Sequence, residues 1–274
     1  MCRVAGVWHL GGVERRCDGP WSATLDTRGI GKGAFEPMET VMTVVGRVAA
    51  LFRYPVKSMA AEELDAVEVS WNGLAGDRRW EFIRAGQVRR GFPWLTIRQR
   101  PELARYRPRF AEPARPDASR TLVQTPAGGE LDVADPALAA ELGPGVRVIK
   151  QDRGIFDTMP LSLLSTQTLA GLGRMVGADL TPQRFRPNLL VDAPGREFPE
   201  DAWIGRVLRV GPMRMRVDKP DQRCVVITID PVTLRRNRAV LRVIARDRDA
   251  RLGVYGSTVE PGPVAVGDPV ELEP

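Results

Sequence analysis

The chain has 274 residues, 43% hydrophobic and 27% charged; that length exceeds what one core usually fills, so two packed subdomains are expected, and the composition argues against long disorder. The net charge of +6 is carried by arginine, since lysine occurs only at Lys32, Lys57, Lys150 and Lys219, and guanidinium groups grip phosphate and carboxylate oxygens in bidentate fashion. No run of five or more basic residues forms a nucleic-acid arm, and charge breaks every apolar stretch short of the ~20 residues of a membrane span, as Arg47 and Arg53 do between Val44 and Val56.

Residues 1–41 are glycine-rich and lack periodicity, and read as a disordered leader or a mis-assigned start. Cys2, His9 and Cys17 within them fit no zinc spacing and lack a fourth ligand. The amino-terminal apolar segment is a weak secretion signal. With one cysteine in the body no disulfide framework is possible there, so a reducing cytoplasm is expected.

From Thr43 onward, short β-branched runs separated by glycine, proline and asparagine predict strands at Val44 to Phe52, Arg79 to Arg84, Leu103 to Phe110, Thr121 to Thr125 and Val146 to Gln151. Their spacing suggests a barrel or compact sheet. Ser165 and Thr166 precede apolar Leu169, Leu172 and Val176 at helical spacing, with Gly177 placed to end the helix. Strands are expected again at Asn188 to Val191, Val207 to Val217 with a turn at Gly211-Pro212, Cys224 to Ile229, and Val264 to Glu271. Ala239 to Arg246 reads as a second helix against its β-branched content.

His9 is the only histidine, so serine-histidine triads, histidine-zinc sites and cysteine-histidine pairs are poor explanations for any chemistry. Cys224, in Arg223-Cys224-Val225-Val226-Ile227-Thr228-Ile229-Asp230-Pro231, is either a thiol among arginines, suited to a soft metal or a nucleophile, or a small hydrophobe packed on a strand. Lys57 and Ser58 follow the first strand and offer a point charge and a hydroxyl to a phosphate, or simply solvate a loop. Gly73 and Gly76 precede Asp77 and Arg78, so the acid either holds an arginine for a ligand or staples a turn. Arg98 lies in Thr96-Ile97-Arg98-Gln99 with the same ambiguity. In Arg184-Phe185-Arg186-Pro187-Asn188, the proline biases Arg186 toward an extended backbone. Tyr255, flanked by Gly253 and Gly256, reaches a site or packs in the core.

Taken in order, the segments YPVKS, GLAGDRRW, TIRQ-RP, PLSLLS, RFRPNLLV, RCVVITIDP and GVYG with PVAVGDPVEL resemble the MOSC-domain proteins that carry an amino-terminal MOSC β-barrel, a group that includes the mitochondrial amidoxime-reducing component and its bacterial relatives. The resemblance spans about residues 43 to 273. It implies a mainly β protein with a few helices (α+β), in which an N-terminal β-barrel-like subdomain at 42–155 packs on a C-terminal MOSC β-barrel domain at 156–274. It further implies a molybdenum cofactor (molybdopterin), with Cys224 as the catalytic thiolate ligand of molybdenum. By the same resemblance Lys57, Ser58 and Arg78 hold the cofactor phosphate, Arg186 and Asn188 contact the pterin, and Arg98, Ser165, Thr166 and Tyr255 line the cleft. At the family level it also carries pyridoxal phosphate binding. The implied reaction removes oxygen from an N-hydroxylated small molecule as water. Electrons are expected from a separate protein, since the chain ends at Pro274 without iron-sulfur cysteines. A monomer without nucleic-acid partner is expected, and a sulfur carrier or cofactor carrier using Cys224 is the competing reading. Val232-Thr233-Leu234 replaces the threonine-glycine that relatives often have after the Asp-Pro pair, which leaves substrate shape undetermined.

Overall fold

A computed structural model describes residues 42–85 and 93–274. The expectations for residues 1–41, including the metal reading of Cys2, His9 and Cys17, lie outside the described residues.

The first half of the chain contributes strands β1 (Thr43–Arg53), β2 (Glu62–Leu64), β3 (Ala66–Ser70), β4 (Gly73–Leu74), β5 (Trp80–Arg84), β6 (Arg107–Phe110), β7 (Thr121–Gln124), β8 (Glu130–Asp132) and β9 (Val146–Lys150), with helix α1 (Pro136–Glu141) before β9. The second half contributes β10 (Leu161–Ser165), α2 (Thr166–Val176), β11 (Leu189–Asp192), β12 (Val207–Val210), β13 (Met213–Gln222), α3 (Arg238–Asp247), β14 (Arg251–Glu260), β15 (Gly262–Ala265) and β16 (Pro269–Leu272). Strands pair in the order β11-β10-β14-β13-β12-β16-β1, and β1 returns to β11, so seven strands close a barrel. Only β10 and β11 in this ring are parallel. The protein is therefore mainly β with few helices, as the sequence predicts.

Closure depends on β1, which pairs antiparallel with β16 through Thr43–Arg47 and with β11 through Arg47–Leu51. Gly46 permits this: a β-carbon there would lie 2.4 Å from the Asp192 carbonyl oxygen. Alternation along the strands sends Val48, Leu51, Leu161, Leu163, Leu189 and Val191 into the barrel interior. Phe52, Leu164 and Leu190 point the other way and pack with Leu172 of α2 and Val240 and Ile244 of α3. A third cluster, built on Phe82, Leu95, Leu103, Val123 and Leu138, belongs to the first half of the chain and takes in Ile229 from the second. Each fully buried large apolar side chain contributes about 1.5–3 kcal/mol.

Helix α2 ends where the capping residues direct: the Ser165 hydroxyl accepts from the Thr168 amide, and Gly177 adopts φ 70°. Four local expectations change. Pro101 starts a 3-10 turn over Pro101–Arg105, so only the second half of Leu103 to Phe110 is strand. Val264 to Glu271 is two strands, broken at Gly267, where φ is 91°. Cys224 to Ile229 is not a strand: Val225–Thr228 form a 3-10 turn, in which the Ile227 amide bonds the Cys224 carbonyl and the Thr228 hydroxyl bonds the Val225 carbonyl. Local bonding and the packing of Ile227 and Ile229 override β-propensity there. Arg186 takes φ 57° instead of an extended backbone, because its amide bonds the Pro182 carbonyl and the chain must reverse before β11.

Candidate functional site

A cavity of about 370 Å³ opens where the end of β13, the loop after β1 and the segments before β10 and β11 converge. Its walls include Lys57, Ser58, Arg78, Arg98, Arg186, Asn188, Cys224 and Tyr255. Eight of the ten residues singled out from the sequence thus come together, although they span 199 positions of chain, from 57 to 255. Ser165 and Thr166 are not among its wall residues. The Ser165 hydroxyl instead donates to Glu200 at 2.7 Å beside its capping role, and the Thr166 hydroxyl donates to Asp192 at 2.8 Å.

The cavity is cationic, with Lys57, Arg78, Arg98, Arg184, Arg186 and Arg223 facing, among the described residues, only Asp157 and Asp221 as acids. Lys57 is 7% exposed and donates from Nζ to the Ile155 carbonyl at 3.0 Å and to Asp157. Burial lowers its pKa, with Asp157 partly offsetting. For Asp157, burial opposes the charge, but Lys57, Arg98 and Arg78 outweigh it and hold the carboxyl below its usual range.

Tyr54 is fully buried between two guanidiniums, Arg78 at 4.6 Å and Arg186 at 4.2 Å from the ring centre. Its hydroxyl donates to the Pro187 carbonyl, and burial pushes its pKa to about 12. Asp77 organises the network beneath: Oδ1 accepts from the Tyr54 amide at 2.7 Å, and Oδ2 accepts from Asn188 Nδ2 at 3.1 Å and from Arg78. The Asn188 amide group is spent on the fold, since its oxygen accepts from the Ser162 amide and hydroxyl and its nitrogen also reaches the Phe52 carbonyl. Arg186 donates from Nη1 to the Met59 carbonyl at 2.7 Å, while its buried Nη2 has no hydrogen-bond partner among the described residues. Burial, reinforced by Arg78, lowers its pKa to about 10.

Three wall residues hold left-handed backbones, Ser58 at φ 69°, Arg78 at 51° and Arg186 at 57°. Such conformations cost about 1 kcal/mol or more in residues other than glycine and gather where the surroundings dictate geometry for function. The Cys224 thiol is half-buried at the start of its 3-10 turn, where Sγ accepts from Arg98 Nη2 at 3.2 Å. Arg223 is fixed by the Leu252 and Phe185 carbonyls, both at 2.8 Å, and by Asp221 at 2.8 Å. Asp221, bonded by Tyr255, is pushed up to about 6 by burial against the pull of Arg223. Sequence reasoning missed Asp157, Asp221 and Arg223 as wall residues; the last two lie beside Cys224, so proximity along a strand end was the available signal.

Glu81 of β5 is 1% exposed, and neither carboxylate oxygen has a hydrogen-bond partner among the described residues. Burial raises its pKa from 4.5 to about 8, with Lys57 only partly offsetting. Between those values the folded chain binds a proton that the unfolded chain has released, so stability falls as pH rises from 4.5 to about 8. Glu81→Gln is expected to flatten that part of the pH profile of the urea midpoint, and an unchanged slope would contradict the assignment.

Comparison with known proteins agrees with this architecture. The MOSC N-terminal beta barrel domain family matches residues 45–148 and the MOSC domain family matches residues 150–271. The chain belongs to the MOSC-domain proteins with an N-terminal MOSC β-barrel domain. It is similar to a molybdenum cofactor sulfurase of Drosophila grimshawi, 28% identical over 80% of this chain and 34% of that protein. It is also similar to mitochondrial amidoxime-reducing component 1 of Homo sapiens, 27% identical over 42% of this chain and 37% of that protein. The chain thus spans about a third of the length of the Drosophila sulfurases it matches. Among solved structures, the YUAD protein from Bacillus subtilis aligns with TM-score 0.48 and 12% identity over 85% of this chain and 98% of that one.

Proposed function

We propose that the chain binds the molybdenum cofactor in the cavity at Cys224 and reduces N-hydroxylated compounds with electrons from a separate protein. The observation that carries this reading is one thiol and six cations in a single cavity, with a buried Arg186 N–H that lacks a partner. A buried donor left unpaired costs about 1–3 kcal/mol, and an anionic ligand would relieve it. Among the described residues no three of His, Cys, Asp or Glu gather to hold a metal ion, so a metal at Cys224 would need further donors from a cofactor. A soft thiolate suits molybdenum held by pterin sulfurs.

Lys57, Ser58 and Arg78 would hold the cofactor phosphate, Arg186 would donate to the pterin, and Cys224 would supply the sulfur ligand. When bound, the cofactor supplies a two-electron redox centre. Removing oxygen from an N–OH group as water takes two electrons and two protons, and the Asp221–Tyr255 pair holds a proton at the same wall. The expected result is stoichiometric molybdenum in protein purified from a cofactor-producing host, together with reduction of benzamidoxime by an artificial reductant; cofactor-loaded protein inert toward N-hydroxylated compounds would remove the reductase reading.

Lys57→Ala is expected to weaken cofactor retention about 10- to 100-fold, because a charge-assisted phosphate bond contributes about 1.5–3 kcal/mol. Gel filtration followed by metal analysis checks this, and undiminished retention would free Lys57 from the phosphate role.

The Drosophila grimshawi sulfurase aligns over 80% of this chain against 42% for the amidoxime-reducing component, which favours a second reading. In it the Cys224 thiolate accepts a sulfur atom from a donor persulfide, which leaves as a thiolate, and carries it without reductase turnover. A persulfide on Cys224 of metal-free protein, found by mass spectrometry, would support it.

A further inference from the structure

A second cavity of about 550 Å³ shares Ile97, Arg184, Arg186 and Val226 with the first. One side is formed by the 3-10 turn at Pro101–Arg105 and the start of β6 and end of β7, the other by the segments around Thr181–Arg186 and Val226–Val232. Its walls carry Arg105, Arg107, Arg184 and Arg186 and, among the described residues, no aspartate, glutamate or lysine. Gln124, Thr125, Thr181 and Gln183 add neutral polar groups, and an apolar wall runs through Ala104, Ile229, Pro231 and Val232, the last 68% exposed.

We infer that this cavity binds the non-reacting body of the substrate and selects apolar molecules that carry a carboxylate. The inference rests on the reductase reading for the chemistry at Cys224, but not for binding. The charge argument comes from the arginines themselves. Arg105 and Arg107 are exposed and form no ion pair among the described residues; Arg105 donates only to the Val232 carbonyl. Arg184 is satisfied at Nη1 and Nη2 by the Ile227 carbonyl and Asp230, but its buried Nε has no hydrogen-bond partner there. A planar guanidinium fork matches a carboxylate bidentately, and the apolar wall takes the hydrocarbon that such a group is attached to. A molecule lying across Val226 would place its other end in the cavity that holds the thiol, because both cavities use that side chain.

The test compares biphenyl-4-carboxylate with the neutral biphenyl-4-carboxamide by calorimetry on molybdenum-loaded protein. The carboxylate is expected to bind about tenfold or more tightly, and the pair of substitutions Arg105→Ala and Arg107→Ala is expected to abolish the difference. In turnover, the KM advantage of 4-carboxybenzamidoxime over benzamidoxime is expected to vanish in the same variant. Equal binding of the two probes would overturn the proposal, as would a preference that survives the double substitution. Loss of carboxylate binding in Lys57→Ala but not in the double variant would also overturn it, by placing the anion in the first cavity. If the reductase reading fails, turnover is absent while the binding difference remains.

Discussion

Cys224→Ala is expected to reduce N-reductase activity by at least about a hundredfold while leaving the melting temperature almost unchanged. The thiol is half-buried, and it accepts a hydrogen bond from the exposed Arg98 at 3.2 Å. Truncating such a side chain costs the fold about 1 kcal/mol or less. In the proposed reaction its chemical loss would be total, because no histidine or second cysteine among the described residues stands in for the sulfur. Molybdenum per chain is expected to fall less than activity does, since Lys57, Arg78 and Arg186 would still clasp the rest of the cofactor. Elemental analysis and benzamidoxime turnover on the same preparations separate the two quantities. Wild-type turnover in the variant would remove the sulfur from the mechanism.

Asp77→Ala is expected to destabilise the cofactor-free protein by about 3–5 kcal/mol, the loss that follows when a buried charge pair is broken on one side. Three donors converge on that carboxylate: the Tyr54 amide, Asn188 Nδ2 and the Arg78 guanidinium. Removing it strands the Tyr54 amide and leaves the Arg78 guanidinium without its counter-charge in a region where Asp77 itself is 1% exposed, while Asn188 Nδ2 keeps the Phe52 carbonyl. The melting temperature should fall by roughly 10 °C. Asp77→Asn retains a carbonyl acceptor for the Tyr54 amide but no charge opposite Arg78, so an intermediate loss is expected. Urea denaturation measures both, and a loss under about 1 kcal/mol in the alanine variant would show that the network is dispensable.

Much of the fold was legible where local chemistry and tertiary packing agree. Helix α2 is bounded by a serine and a glycine that act at its two ends, and β1 alternates between two buried faces. Strand β14 was not among the expected strands, because glycines at Gly253 and Gly256 interrupt its strand-forming pattern. At Gly256 the reason is close approach, since a β-carbon would lie 2.4 Å from the Arg216 carbonyl oxygen. The 3-10 turn after Cys224 escaped because its residues are strong strand formers held by contacts distant in sequence. At the site, residue types announced cations and a thiol, but their gathering came only through resemblance, as contacts distant in sequence bring Lys57 to Asp157 and Arg98 to Cys224. Asn188 illustrates the limit: its place on the wall was foreseen, while its role as a clamp joining β1, β10 and Asp77 needed three-dimensional hydrogen bonds.

The provenance of β1 has a practical consequence. A fragment that starts at the second family boundary, residue 150, would lack the stave between β11 and β16 and would present two bare backbone rows to solvent. Such rows recruit other chains. Domain dissection at that boundary would therefore yield aggregates instead of a soluble module, and any exchange of halves between relatives must carry Thr43–Arg53 along with the carboxy-terminal strands.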